Sequence, residues 1–436
     1  MSNKSNSLHL HHALQSAFEA IETSVKSAED ALAQMIATDT TFPPGEGYGA
    51  FADLAQSLFE PLAFDCKCVS VPEELWKTRT GKASGERVNL IGERVTGKPV
   101  CGLYFHVDTV PVAPGWSYDP FAMTKVDDRL YGLGAADMKG TMAACYLALK
   151  VARDFDIPLA YDPMLLFCTD EESGLYPGIR YLAEQGHLKG HILNFNGTAA
   201  PRIWAGCFGV FALTLSIHGV PVHAGEGNRS GAGANAIEAS IPLMNALMTL
   251  KERVGARVSK LAPAPGASGP LRPQLYIAAA NGGTAPGQVP GCFELLIGRR
   301  YAPEESYEDA RAEIEACIHA ALDDLDMITY SIEQTSHLTP TADADGPHWP
   351  RWQQALSAGF GYHRQEFAKW GAASCSDFGY VQQAGVMQEV LLGGLGKPSR
   401  NVHGPDEHTT TPDIIALAKS VLSYLASDFE PDMIPD

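Results

Sequence analysis

The chain has 436 residues, 45% hydrophobic and 19% charged, enough for two domains with sizeable cores and ordinary for a globular enzyme. A formal net charge of −19 argues against nucleic acid or an anionic membrane as partner, although a local site can oppose the global sign. Nine scattered cysteines without a CxxC pair suit reduced thiols in the cytoplasm better than a disulfide scaffold.

The opening "MSNKSNSLHLHHALQ" has no apolar signal-peptide core. No apolar run approaches the roughly 18 residues of a membrane span, so neither secretion nor membrane spanning is expected. His9, His11 and His12 resemble a metal tract, but a flexible terminus is their expected home. Helical periodicity over about 8–36 is broken by "TTFPPGEGYG" and resumes in "AFADLAQSLFEPLAF". The β-rich runs "CKCVSV", "RVNLIGE" and "VCGLYFHVD" follow, then the helix "GTMAACYLALKVARDF" and the strand "PMLLFCTDEESG". Cys66 and Cys68, the only close cysteine pair, fall at strand spacing. Strands alternating with helices indicate an α/β fold with a mixed, largely parallel sheet.

Near residue 210 the texture changes. "VFALTLSIHGV", "GANAIEASIPLMNALMTLKERV", "QLYIAAANGG", "CFELLIGRRY" and "SYEDARAEIEACIHAALDDL" run to about 335 in a β-α-β-β-α-β order, the pattern of a compact ferredoxin-like α+β unit. Residues 210–335 are therefore expected as an inserted domain, with 1–209 and 336–436 forming the host. The Pro/Gly-rich 261–273 stretch is a loop, and "TPTADADGPHWP" at 339–350 is the return linker. Such an insertion frames a cleft.

"LFCTDEESG" ends an apolar strand on Asp170, Glu171 and Glu172, a crowd of like charges that solvent, a proton or a metal must compensate. Three other segments can meet it. In "YFHVDTVP", His106 and Asp108 are two residues apart on one side of a strand end, so Asp108 can fix the ring's tautomer; a satisfied strand-end histidine is the plainer reading. Asp137 in "GLGAADMKG" either caps the helix that follows or projects a carboxylate from a strand-to-helix junction. "NVHGPDEH" places His403 and Glu407 in a turn before the last helix, with His408 adjacent. Imidazoles with several carboxylates on loops after strands form the ligand set of a zinc, manganese or cobalt hydrolase site. Adjacent glutamates then divide the work, one holding metal and its neighbour accepting a proton.

In order, "HVDTVP", "GLGAADMKG", "TDEESG", "VHAGEGNRSGAGANAI" and "HGPDE" resemble the motifs of the M20 metallopeptidase family. That family includes acetylornithine deacetylase, succinyl-diaminopimelate desuccinylase, aminoacylase and glutamate carboxypeptidase. The resemblance spans roughly residues 40 to 425. It implies a catalytic α/β domain interrupted by a lid that usually mediates dimerisation, so a homodimer or higher homo-oligomer is expected. It also implies His106 and Asp137 as metal ligands, Asp137 bridging two ions, with Asp108 orienting His106. Glu171 matches the general base, Glu172 and His403 the ligands of the second metal, and His223 a lid histidine that helps polarise the scissile carbonyl, often across the dimer. Arg300 matches the lid arginine that pairs with a substrate carboxylate, a task suited to a guanidinium fork. Arg299, on the opposite face of its strand, is expected in solvent. Asn235 is either a substrate contact or an ordinary polar residue at a helix start.

The pattern has departures. The family's "G-E-P-T"-like carboxylate is missing: "LNFNGTAAPRIWAGCFG" holds no Asp or Glu, and Asn196 or Gly197 falls nearest its place. One firmly bound ion, at Asp137, Glu172 and His403, is therefore expected, with a second weak or absent. Cys207 is expected to be a buried small side chain and not a soft ligand. Gly287 stands where the family often has a substrate-contacting asparagine, and Leu133 where it often has an arginine. The implied activity is metal-assisted hydrolysis of a C–N bond in a small carboxylate-bearing substrate, an N-acyl amino acid or short peptide, with Glu171 moving the proton. Two rivals remain: an aminohydrolase of the 5-nitroanthranilate type, which the family also contains, and a non-catalytic binding protein.

Overall fold

Alternating burial organises the first sheet. In Val100–His106, Leu103 and Phe105 enter one apolar core and Tyr104 the other. In Asp162–Cys168, Leu165 and Phe167 pack on the first side, and Leu166 and Cys168 on the second. Period-two side chains thus make a sheet buried on both faces, which is why these strands read as continuous apolar runs. A computed structural model describes residues 14–77, 83–172, 175–198, 200–226, 232–283, 285–342, 346–385, 389–427 and 429; the His9–His12 tract lies outside them.

The six strands run in the order Asp65–Val71, Arg87–Glu93, Asp162–Cys168, Val100–His106, His191–Asn194, Leu391–Leu392. The first two join antiparallel and the last four are parallel. Helices Val25–Ala37, Tyr48–Phe59, Lys139–Asp154, Trp349–Phe360 and Thr411–Leu425 cover one face. The short helices Gly178–Glu184 and Phe378–Gln383 lie on the other. The expected first helix is broken at Ser24 into helical residues 14–23 and Val25–Ala37. All nine cysteines are free, with Cys207 fully buried. Among the described residues no helix is long and apolar enough to cross a membrane.

Strands Gly209–His218, Gln274–Gly282, Cys292–Tyr301 and Thr329–Leu338, with helices Ala236–Ala256 and Tyr307–Leu322, form the expected β-α-β-β-α-β unit. Its antiparallel sheet has the spatial order second, third, first, fourth. The entering and leaving strands pair, Val210 opposite Leu338, so the chain departs from and returns to the host sheet side by side. Phe211, Leu213, Leu215 and Ile217 with Leu295 and Ile297 pack under the two helices. The alternate residues Val210, Ala212, Leu296 and Gly298 face the cleft.

This alternation corrects the expectation for Arg299. Its face is covered by helices and not by water, so Arg299 is fully buried and donates to Glu305 at 2.6 Å. Period two placed it correctly opposite Arg300, but strand periodicity does not say what covers a face. A small third sheet, with Arg202–Cys207 between Thr341–Ala342 and Ala368–Ala372, had no sequence expectation.

Candidate metal centre

The parallel strands end at one edge, where open α/β sheets bind ligands. His106 is in register with Cys168, and Tyr104 with Asn194. The loops leaving these strands therefore carry His106, Asp170–Glu172 and Asn196 to the same level. His106 is buried; its Nε2 lies 3.1 Å from Asp137 Oδ1. The helix after Asp137 begins at Lys139 with Met138 at its cap, so Asp137 is free of capping and faces the histidines. His403, on an exposed turn, brings Nε2 to 3.0 Å from Glu172 Oε1 and 3.5 Å from Asp137 Oδ2.

The ring of His106 is held differently from the expectation. Nδ1 lies 3.0 Å from the backbone carbonyl of Asp108 and 3.7 Å from its carboxylate. Asp108 Oδ2 instead accepts the Glu172 N–H at 2.8 Å, tying the two strand-end loops together. Asp108 Oδ1 is buried without a partner.

Asp170 and His403 both have left-handed backbone, φ 61° and 64°, a conformation that aspartate and histidine tolerate better than most residues. Asp170 uses it to turn inward, accepting from Arg87 Nε at 2.7 Å and Tyr48 Oη at 2.9 Å. Arg87 is itself buried, stacks 4.0 Å over Trp76 and donates to the carbonyls of Pro44 and Ser84. Burial drives the Asp170 carboxyl up to about 6 while Arg87 pulls it down. Glu407 lies under the Asp137 loop and accepts the N–H groups of Gly134, Ala136 and Asp137 at 2.9–3.0 Å.

Burial raises Glu171 well above the usual carboxylate range, and neighbouring Asp377, Glu172 and Asp108 add to the shift against the pull of His106. Asn196 Nδ2 donates to Glu171 Oε1 at 2.7 Å. Burial also works to raise Asp137, but hydrogen bonds from His106 and His403 outweigh it and hold the carboxyl below its ordinary value. The bonds that His403 makes to the Asp137 and Glu172 carboxylates in turn push it up to about 11.

The ligating atoms of Asp137, Glu172 and His403 all lie within 4.8 Å of one another, as do those of His106, Glu171 and Glu172. Two ligands about 2.1 Å from a tetrahedral ion are roughly 3.4 Å apart, so the separations of 3.0 and 3.5 Å from His403 to Glu172 and Asp137 fit a divalent cation. Nitrogen and oxygen donors suit zinc, manganese or cobalt.

A cavity of about 820 Å³ opens onto Asp137, Glu171, Glu172 and His403, with Asn196 on its wall. Arg300 faces them from the other sheet, its Nη1 3.1 Å from the Ala373 carbonyl. Two expected residues are elsewhere. His223 is exposed on the lid, its Nδ1 accepting from Gly225 N–H, and does not line this cavity. Asn235 Oδ1 accepts from Ile237 and Glu238 N–H at the start of the long lid helix, so the oxygen is a cap.

Sequence reasoning missed Asp377. It is fully buried, accepts the Tyr104 hydroxyl and keeps Oδ1 without a partner. Burial, first, and then Asp108 push its carboxyl up to about 7. "CSDFG" offers no periodic or metal-spacing signal. Tyr104, two residues before His106, was the one available hint, because a buried phenol needs a partner.

The chain is 30% identical to an acetylornithine deacetylase of Aliivibrio fischeri over 263 residues, 58% of this chain and 65% of that protein. An acetylornithine deacetylase of Edwardsiella ictaluri is 27% identical over 343 residues, 78% and 82% of the respective lengths. The chain thus spans less than two thirds of the A. fischeri relative that it matches. In fold it is similar to the di-peptidase Dug1p from Saccharomyces cerevisiae, with a TM-score of 0.76 at 15% identity over 95% of this chain and 98% of that one. Human carnosine dipeptidase 1 gives 0.72 at 15% identity over 94% and 98%. The model of peptidase family M20/M25/M40 matches residues 102–427, three quarters of the chain and every residue of the cluster, and the chain belongs to that family.

Proposed function

We propose that the protein is a metal-dependent hydrolase that cleaves the C–N bond of a small carboxylate-bearing substrate, an N-acyl amino acid or short peptide. One observation carries the reading: Glu171, its proton affinity raised by burial, lies beside the Asp137–Glu172–His403 cluster at the floor of a cavity. Asp137, Glu172 and His403 hold the firmly bound ion, with His106 completing the cluster toward Asp137. When bound, a divalent metal supplies Lewis acidity that polarises a carbonyl and makes water more acidic. Glu171 takes the proton from the attacking water and returns it to the leaving nitrogen; a base with raised pKa suits both halves of that cycle. Asn196 orients Glu171 by its hydrogen bond, and Asp108 ties Glu172 to the His106 loop.

Arg300 receives the substrate carboxylate through its two-pronged donor face. His223 does not line the cavity of its own chain, so its role in polarising the carbonyl requires a second subunit, and we assign the active form as a homodimer. Glu171→Gln is expected to retain metal and substrate binding while turnover falls about 10²–10⁴-fold. Turnover near that of the unsubstituted enzyme removes Glu171 as the base. Aromatic side chains line the cavity (Phe42, Trp76, Trp204, Tyr276 and Phe378), which favours one second reading: amine displacement from an electron-poor aryl carboxylate of the 5-nitroanthranilate type. A panel of N-acyl amino acids, dipeptides and nitroanilines separates the two.

A further inference from the structure

Arg202 opens the central strand of the third sheet. Its guanidinium lies over two indoles, 3.5 Å from the Trp370 ring centroid and 4.5 Å from that of Trp204. Nε donates to the Trp370 carbonyl at 3.2 Å, and Nη2 is buried without a partner. The residue is 7% exposed. Among the described residues no carboxylate forms an ion pair with it, whereas nearby Lys397 and Arg400 both pair with Asp413. Burial lowers its proton affinity to about 10.

A buried cation with an idle donor is expensive, and indole stacking recovers only part of that cost. Such a group needs an explanation, and its position supplies one. Arg202 lines the cavity that holds Glu171, Glu172 and Asp137, and also a neighbouring space of about 770 Å³ beside the turn that carries His403. In a chain of net charge −19, this is a cation kept free on the wall of an acidic site.

We propose that Arg202 is a specificity residue that binds a second carboxylate of the substrate, so that the preferred substrate is a dianion held by Arg300 on the lid wall and Arg202 on the catalytic wall. The stacked indoles fix the guanidinium plane before binding, so little side-chain entropy is lost when the carboxylate arrives. The proposal rests on the hydrolase reading of the same cavity and narrows its substrate class.

The test is calorimetric binding to metal-loaded protein in the Glu171→Gln background, where turnover does not interfere. N-glutarylglycine is compared with its neutral terminal amide, and N-acetyl-L-glutamate with N-acetyl-L-glutamine. These pairs place the second carboxylate on the acyl and the amine side respectively. At least one dianion is expected to bind about tenfold or more tighter than its amide. Arg202→Met, which keeps an apolar stem against the indoles, removes that preference, so that dianion and amide bind with similar affinity. Arg202→Lys, with the charge but not the fork, retains part of it. Melting without ligand gives a second readout, with Arg202→Met as stable as the parent or more so, because no internal ion pair is lost. No preference in the parent for either dianion, or a preference undiminished in Arg202→Met, overturns the proposal. Hydrolysis is scored separately with Glu171 in place. If the metal-loaded enzyme cleaves none of the four compounds, the hydrolase reading loses its support, while the binding ratios still decide the role of Arg202.

Discussion

Asn196→Asp introduces a carboxylate near the place where the family pattern has one, and its consequences can be worked from a single contact. In the native chain Asn196 Nδ2 donates to Glu171 Oε1 at 2.7 Å, a charge-assisted bond worth about 1.5–3 kcal/mol. A carboxylate oxygen in the same place abolishes that bond and sets two negative charges roughly 4 Å apart. At an effective permittivity of ~20 their repulsion is about 4 kcal/mol. The sum is equivalent to about 4–5 pKa units, imposed on a Glu171 that burial already holds well above its ordinary value. The metal-free variant must therefore carry a proton shared between the introduced carboxylate and Glu171 at neutral pH, and a second cation beside His106 and Asp137 releases it. Elemental analysis after dialysis is expected to return one ion per native chain and two per Asn196→Asp chain. Calorimetry in buffers of different ionisation enthalpy is expected to show about one proton released with the second ion. Two ions in the native protein, or one in the variant, refute the reasoning.

Arg87→Met removes the partner of Asp170 and donors to the Pro44 and Ser84 carbonyls, and is expected to destabilise the host domain by about 3–5 kcal/mol in urea unfolding. Because Asp170, without Arg87, stays protonated to higher pH, the deficit shrinks between pH 8 and pH 5; a deficit independent of pH contradicts the pairing. Burial holds His191 down to about 3, with His348 and Arg351 adding to the effect. The unfolded imidazole takes a proton near pH 6.5, whereas the native one stays neutral far below that. Stability is therefore lost as pH falls from about 6.5 toward 3, and His191→Gln should flatten the urea-midpoint profile by about 1 kcal/mol per unit below pH 6; parallel profiles exclude His191. Asn235→Ala removes the cap of the long lid helix and should lower stability by about 1 kcal/mol with KM nearly unchanged, whereas a large KM increase restores Asn235 as a substrate contact.

What was legible in the sequence was what short-range pattern encodes. "HVD" and "TDEES" announce a strand end and its charge because strand, turn and functional group are contiguous. The lid order was readable because its strands and helices are long enough to show their periods. Arg299, Arg202 and Asp377 were not legible for one shared reason: each is defined by what covers it. Arg299 meets Glu305 and the lid helices, Arg202 meets Trp370, and Asp377 meets Tyr104 across 273 residues. The third sheet was missed because Thr341–Ala342 and Ala368–Ala372 are too short to establish alternation. Asp137 was ambiguous from sequence because a carboxylate before a helix looks the same whether it caps the helix or faces a histidine.

Glu407 bears on when the cluster forms during synthesis on the ribosome. It gathers three amide groups of the Gly134–Asp137 loop across 270–273 residues of sequence, and His403 belongs to the same late segment. The lid is translated before either. A nascent chain that has completed the lid still lacks His403, the Leu391–Leu392 edge strand and the anchor for the Asp137 loop. The cluster therefore closes only after the segment carrying His403 and Glu407 has emerged, by which point the inserted β-α-β-β-α-β unit has already been synthesised.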